Sequence, residues 1–157
     1  MTTTAVRGGE LAQMVEAAIG PSPWFTVEQI RVDTFADATD DWQWIHTDSA
    51  RAVNGPYGAT IAHGYLTMAL VPRLLAQTMA ITDEARGTNY GVDRARFTNP
   101  VRVGDEIRLR GTLSSVSVRP DGGVKYSVDA TIDIRGCDRP ALVGTFTYLT
   151  YPGDRDE

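Results

Sequence analysis

The chain reads as an α+β domain, with helices first and an antiparallel sheet after them. Three observations carry this reading. Apolar residues recur at helical spacing in the first half and at period two in the second, and between them lies one long helix that is apolar around most of its circumference. With 157 residues, 42% of them hydrophobic and 22% charged, the chain matches a single globular domain able to bury a core.

Residues 1–8 are small and polar and read as a flexible tail. A single domain over 9–152 follows, and a charged tail over 153–157 closes the chain. Leu11, Met14, Val15 and Ala18 fall on one side of a helix over 9–19, stopped by Gly20 and Pro21. Thr26 with Gln29 three residues on makes a capping box for a second helix, which carries Ile30, Phe35 and Ala38 on one face and runs toward Thr39. Turn formers (Asp48, Ser49, Asn54, Gly55, Pro56, Gly58) mark a compact irregular stretch. The central helix starts near Ala62 or Gly64 and continues to about Met79, with Tyr65, Leu66, Met68, Leu70, Leu74 and Leu75 distributed around it. A helix apolar nearly all round needs something to wrap it. Pro72 removes one backbone donor and is expected to kink it.

From Thr88 onward the period is two. Val124, Tyr126, Val128, Ala130, Ile132 and Ile134 alternate with polar residues, giving a strand with one buried and one wet face. Ile107, Leu109 and Leu113 mark the strand before it, and a change of phase toward Val116 predicts a bulge at Ser114–Ser115. Residues 120–123 and 136–140 read as hairpin turns, and 141–151 closes the meander. A curved sheet wrapped around the central helix satisfies both halves of the pattern.

Charge and composition exclude several classes. The net charge of -5 disfavours nucleic acid as a partner. Cys137 is alone, so no intrachain disulfide forms, which fits an intracellular setting. The longest apolar stretch, over 61–75, is broken by His63 and Arg73 and falls short of the ~20 residues a membrane span needs. A soluble cytoplasmic protein is expected, with no membrane contact.

Two segments offer chemistry. In the stretch from Phe35 to Asp48, Asp41 and His46 would lie about 140° apart on an unbroken helix and could not converge. If the helix ends near Asp41 and the chain turns back through Trp42, Gln43 and Trp44, the carboxylate and imidazole can face one pocket as proton acceptor and donor. The alternative is a helix-end carboxylate beside a satisfied loop histidine. In the second segment Gly64 opens the apolar helix, where free backbone N–H groups point along the axis and could hold a developing enolate oxygen. The alternative there is close packing. His63 could ligate a metal beside His46 only with carboxylates from elsewhere, and no metal is expected. Trp42, Trp44, Tyr57 and Tyr65 could wall an acyl tunnel or serve as core or dimer contacts. Arg94, Arg96, Arg102, Arg108 and Arg110 make a basic run that could meet carrier phosphates or form a solvated strand face.

Taken in order, these segments resemble the MaoC-like dehydratases and (R)-specific enoyl-CoA hydratases. Phe35, Ala36, Thr39, Asp41, Ile45, His46 and Asp48 match that family's first motif, and Ala62, His63 and Gly64 match its helix start. Phe97, Pro100, Val101, Gly104 and Asp105 match its strand junction, so the resemblance spans about residues 26 to 150. Gln43 stands where the family usually has Asn and Trp44 where it has Pro. The supporting Ser of many relatives falls near Pro72 here, and Thr67 is the nearest hydroxyl.

The resemblance implies a hot-dog fold and a 2-enoyl thioester substrate on coenzyme A or acyl carrier protein. Asp41 and His46 would be the catalytic pair, and the Gly64 N–H the oxyanion donor. Gln43, Tyr57, His63 and Tyr65 would contact substrate, with no cofactor and a homodimeric assembly. An acyl-thioester hydrolase on the same fold and a non-catalytic acyl-binding or heterodimer subunit are the competing readings.

Overall fold

The period-two half of the chain builds the frame of the molecule. The structure, a computed structural model, describes residues 3–153. In chain order the elements are β1 (Thr4–Val6), a 3-10 turn (Gly8–Met14), β2 (Ala18–Ile19), β3 (Phe25–Thr26), α1 (Gln29–Thr39), α2 (Trp44–Thr47) and α3 (Ser49–Ala52). Then come α4 (Gly64–Ala69), α5 (Val71–Ala76), β4 (Met79–Ile81), β5 (Glu84–Phe97), β6 (Glu106–Val118), β7 (Val124–Ile134) and β8 (Leu142–Pro152). The main sheet runs in the order β2-β6-β7-β8-β5, antiparallel throughout, with β3 also pairing with β6. It curves over α4 and α5 without closing into a barrel, the α+β arrangement that the two periodicities require.

The alternation of β7 sets the register of the sheet. Val128 lies opposite Leu113 and Phe146, and Ile132 opposite Leu109 and Leu142. Their inward side chains form the core with Leu74 and Ile107, all nearly inaccessible to solvent. Each such burial is worth roughly 1.5–3 kcal/mol, so this layer dominates the stability of the domain. The register slips by one residue between Leu113 and Ser115, at the bulge the phase change predicts. Arg119 and Gly123 close the β6–β7 hairpin by a 2.8 Å backbone bond.

Several local expectations give way to tertiary contacts. The expected tail is ordered over the part described: β1 pairs in parallel with β4, Val6 is buried, and the Gly8 N–H donates to Asp83 at 2.8 Å. The remaining tail positions, 1–2 and 154–157, lie outside the described residues. The helix expected over 9–19 is a 3-10 turn followed by a strand. Glu16 takes a left-handed φ of 71°, and β2 then docks on Thr112 and Gly111. Thr26 does not cap α1. It pairs with Glu106 at the sheet edge, and Glu28 is the residue before the helix.

The central helix is interrupted rather than simply kinked. α4 ends at Ala69 and α5 begins at Val71, with Leu70 between them and Pro72 in the first turn of α5. Proline at 72 cannot donate to the carbonyl four residues earlier, so the break falls just ahead of it, where proline is tolerated. The wrapping is also incomplete. Leu66, Leu70, Val71, Leu74 and Leu75 are buried, while Tyr65 on the side facing β5 is 67% exposed. No helix among the described residues is long and apolar enough to cross a membrane.

Candidate active site

Three backbone features bring the two sequence segments together. α1 stops at Thr39 because Asp40 adopts a left-handed φ of 56°, which turns the chain away from the helix axis before Asp41. The Gln43 carbonyl accepts the His46 N–H at 2.9 Å and starts the short α2. The chain from Thr60 to Ala62 then zips between its neighbours: Ile61 N–H donates to the Ile45 carbonyl at 2.9 Å and Ala62 N–H to that of Val101 at 2.8 Å. Gly104, at φ 92°, makes the turn that lets Val103 N–H reach the Thr60 carbonyl at 2.8 Å. The Phe97–Asp105 motif thus holds the strand that delivers His63 and Gly64.

Other motif positions hold the scaffold. Asp48 accepts the Arg51 N–H at 2.9 Å and caps α3, while the Thr39 hydroxyl donates back to Phe35 at 2.7 Å. Trp44 occupies the first position of α2, with the Arg51 guanidinium 4.2 Å above its ring and Gly55 against its edge. A side chain at 55 would meet that indole at 3.1 Å.

The polar centre consists of Asp41, His46 and His63. One carboxylate oxygen of Asp41 and one ring nitrogen of each histidine lie within 4.8 Å of one another. The two imidazoles stack at 3.8 Å between centroids, and the Phe35 ring lies tilted 5.0 Å from that of His63. His46 Nδ1 is 2.7 Å from the Ile61 carbonyl. A carbonyl only accepts, so Nδ1 carries the proton and a neutral His46 has its lone pair on Nε2. Burial pulls the His46 imidazole below its ordinary 6.5, as does the neighbouring His63, against the opposing pull of the Ile61 bond and Asp41. His63 Nε2 donates to the Asp41 carbonyl at 2.9 Å and lies 3.9 Å from its carboxylate, while its Nδ1 is buried without a partner among the described residues. These three side chains are also the donors a cation would need. The His63 nitrogen nearest Asp41 is already committed as a hydrogen-bond donor, which leaves no lone pair there for a metal.

A cavity of roughly 280 Å³ opens beside this centre, lined by His46, Gly64, Thr67, Phe97, Asn99 and Val101 among others. Gly64 is the first residue of α4, so its N–H has no acceptor within its own helix. The structure therefore places His46 and Gly64 on one cavity, whereas Asp41, 56% exposed, does not line it and reaches the centre only through its distance of at most 4.8 Å to the histidine nitrogens. His63 stands behind His46 rather than in the cavity wall. Tyr65 points into a neighbouring groove, and neither Gln43 nor Tyr57 lines either space. The Phe97 ring rests on Gly64 and meets Tyr65 edge-on at 5.8 Å. Its role at the cavity was not legible from its place in a strand motif.

A curved antiparallel sheet over a broken helix, with an imidazole–carboxylate cluster near the helix start, defines a hot-dog-fold protein. Comparison with known proteins agrees. The profile of the MaoC like domain matches residues 10–131. The chain is 42% identical over 134 residues to 3-hydroxyacyl-thioester dehydratase Z of Mycobacterium tuberculosis, covering 85% of this chain and 89% of that protein. It is 40% identical over 141 residues to Nodulation protein N of Rhizobium leguminosarum, covering 87% and 88%. The (R)-hydratase from A. caviae involved in PHA biosynthesis superposes with a TM-score of 0.68 at 23% identity, over 88% of this chain and 96% of that one. The chain belongs to the family of MaoC-like dehydratases.

Proposed function

We propose that this protein interconverts 2-enoyl and (R)-3-hydroxyacyl thioesters, carried on coenzyme A or an acyl carrier protein. The observation that carries this reading is the His46 tautomer. With Nδ1 tied to the Ile61 carbonyl, the lone pair of a neutral His46 is on Nε2; the ring has a nitrogen within 4.8 Å of an Asp41 carboxylate oxygen, and the residue lines the cavity that Gly64 opens. In hydration, a water held between Asp41 and His46 attacks C3 as Nε2 takes one of its protons. The π pair moves toward the thioester oxygen, where the Gly64 N–H stabilises the enolate. The captured proton then passes to C2, so the net change is one water added on one face. Dehydration runs the same steps backward.

Acid–base action of this kind is worth ~10²–10⁴ in rate. The test is loss of the conjugated thioester absorbance with crotonyl-CoA and a longer enoyl-CoA, using wild type, Asp41→Asn and His46→Gln. Hydration by wild type and a loss of two or more orders of magnitude in both folded variants is expected. Near wild-type turnover in either variant would remove that residue from the mechanism. Release of free thiol in place of hydration would point to a thioester hydrolase.

The protein works as a homodimer in this reading. β5 is the sheet's edge, 14 residues long, and it leaves Tyr90, Val92 and Phe97 exposed. A long exposed edge of this kind is an open template for a second strand.

A further inference from the structure

The side of the interrupted helix that the sheet leaves uncovered leads away from the catalytic cavity. Gly64 lines that cavity, Met68, Ala69 and Pro72 line a groove of roughly 330 Å³ against β5, and Pro72, Leu75 and Ala76 line a further cavity of roughly 420 Å³. These positions succeed one another at helical spacing on one face. From Gly64 to Pro72 is about 12 Å along the axis, the reach of a medium-length acyl chain.

The far cavity does not end as a purely apolar tunnel would. Tyr148 lines both it and the groove, stacked on Tyr126 at 5.3 Å, and is 8% exposed. Its hydroxyl is buried and has no hydrogen-bond partner among the described residues. Buried hydroxyls are nearly always paired, because an unpaired one keeps the full cost of its desolvation. Burial also pushes the Tyr148 hydroxyl up, so it stays protonated and is a donor. Thr88 and Asn89 of β5 add polar wall, and the Glu84 carboxylate stands at the same cavity. That carboxylate disfavours an anionic tail and can accept from a neutral one.

Building on the reaction proposed above, we infer that the cavity between α5 and β5 is a specificity site for acyl chains bearing a neutral oxygen substituent, a hydroxyl or ketone remote from the thioester, with the Tyr148 hydroxyl as its donor.

The test compares octenoyl-, decenoyl- and dodecenoyl-CoA with their terminally hydroxylated counterparts, in wild type and Tyr148→Phe, by kcat/KM. For at least one length the hydroxylated chain should be preferred, and Tyr148→Phe should cut that preference about tenfold, the worth of one buried hydrogen bond. A preference unchanged by Tyr148→Phe, or plain chains preferred at every length, would overturn the inference while leaving the reaction standing. Calorimetric titration with unreactive thioether analogues of the same chains reads the preference without turnover. If no thioester is hydrated, the reaction fails and the titration alone decides the site. Thermal melting of unliganded Tyr148→Phe adds an independent check. An unpaired hydroxyl predicts an unchanged or higher Tm, whereas a drop of several degrees would show the hydroxyl satisfied within the protein and refute the site.

Discussion

Replacing Gly64 by proline and, separately, by alanine distinguishes the two reasons for a glycine there. A Cβ at 64 would meet the Phe97 ring at 2.9, 3.0 and 3.0 Å, about 0.5 Å inside the 3.4 Å at which ordinary contact begins. Phe97 is 48% exposed, so its ring can swing outward at the expense of its edge contact with Tyr65. That contact is worth ~0.5–1.5 kcal/mol, and alanine returns up to ~1 kcal/mol of helix propensity. Gly64→Ala should therefore change stability by no more than about 1 kcal/mol while keeping the N–H. Proline at the same position keeps the fold for a different reason. Residue 64 is the first of its helix, and His63 before it has φ -56° and ψ 139°, the extended conformation that precedes proline. Gly64→Pro thus deletes the donor where no helical bond is lost. Both variants are to be made again in a Phe97→Ala background, which removes the collision. Turnover of the proline variant should lie ~10²–10³ below that of the alanine variant in that background, the loss expected for one oxyanion donor. Equal turnover in two folded proteins would refute the role of the N–H and leave close packing against Phe97 as the reason for glycine.

Three further outcomes follow from the geometry. Burial lowers the folded-state pKa of His46 below 6.5, so its contribution to stability is fully present above the unfolded value and is lost as the pH falls from there to the folded value. Urea titrations from acid to neutral pH should show this slope and His46→Gln should remove it, while the acid limb of wild-type kcat/KM should titrate below 6.5. Gly111→Ala would place a Cβ 2.5 Å from the Asp129 carbonyl and 3.2 Å from Val128, forcing β6 off β7 at a cost of ~1–3 kcal/mol, read as a lower urea midpoint at unchanged slope. Light scattering should give the mass of two chains, and Val92→Asp on the exposed edge should shift it toward one. A monomeric wild type would refute the edge pairing.

Much of this protein is legible in local pattern. Period-two alternation from Val124 to Ile134 defines β7 and its buried face, because side chains on a strand must alternate. The phase change after Leu113 marks the bulge for the same reason, and the Asp121–Gly122–Gly123 turn closes the hairpin that local turn chemistry dictates. The spacing of Asp41 and His46 calls for a helix that ends near Asp41, and the left-handed Asp40 just ahead of it supplies that end. Ordered motifs identify the family because they list contacts that the fold must satisfy together.

What only the tertiary structure decided lies in contacts between residues remote in sequence. Three residues of β1 carry no periodicity of their own and become a strand only because β4, some 75 positions later, pairs with them. Thr26 has the local signature of a cap yet is drawn to Glu106, since a sheet edge offers it a backbone ladder that a helix start does not. The tautomer of His46 depends on a carbonyl 15 residues away, and the stack on His63 on a strand pinned by Val101. The Tyr148 hydroxyl, unpaired among the described residues, is likewise invisible in a strand whose pattern says only that position 148 faces inward. Sequence determines which face of each element is buried, since that follows from period and polarity along a few residues. Which buried polar atoms find partners is decided where separate elements meet, because a hydrogen bond depends on the relative placement of both its ends.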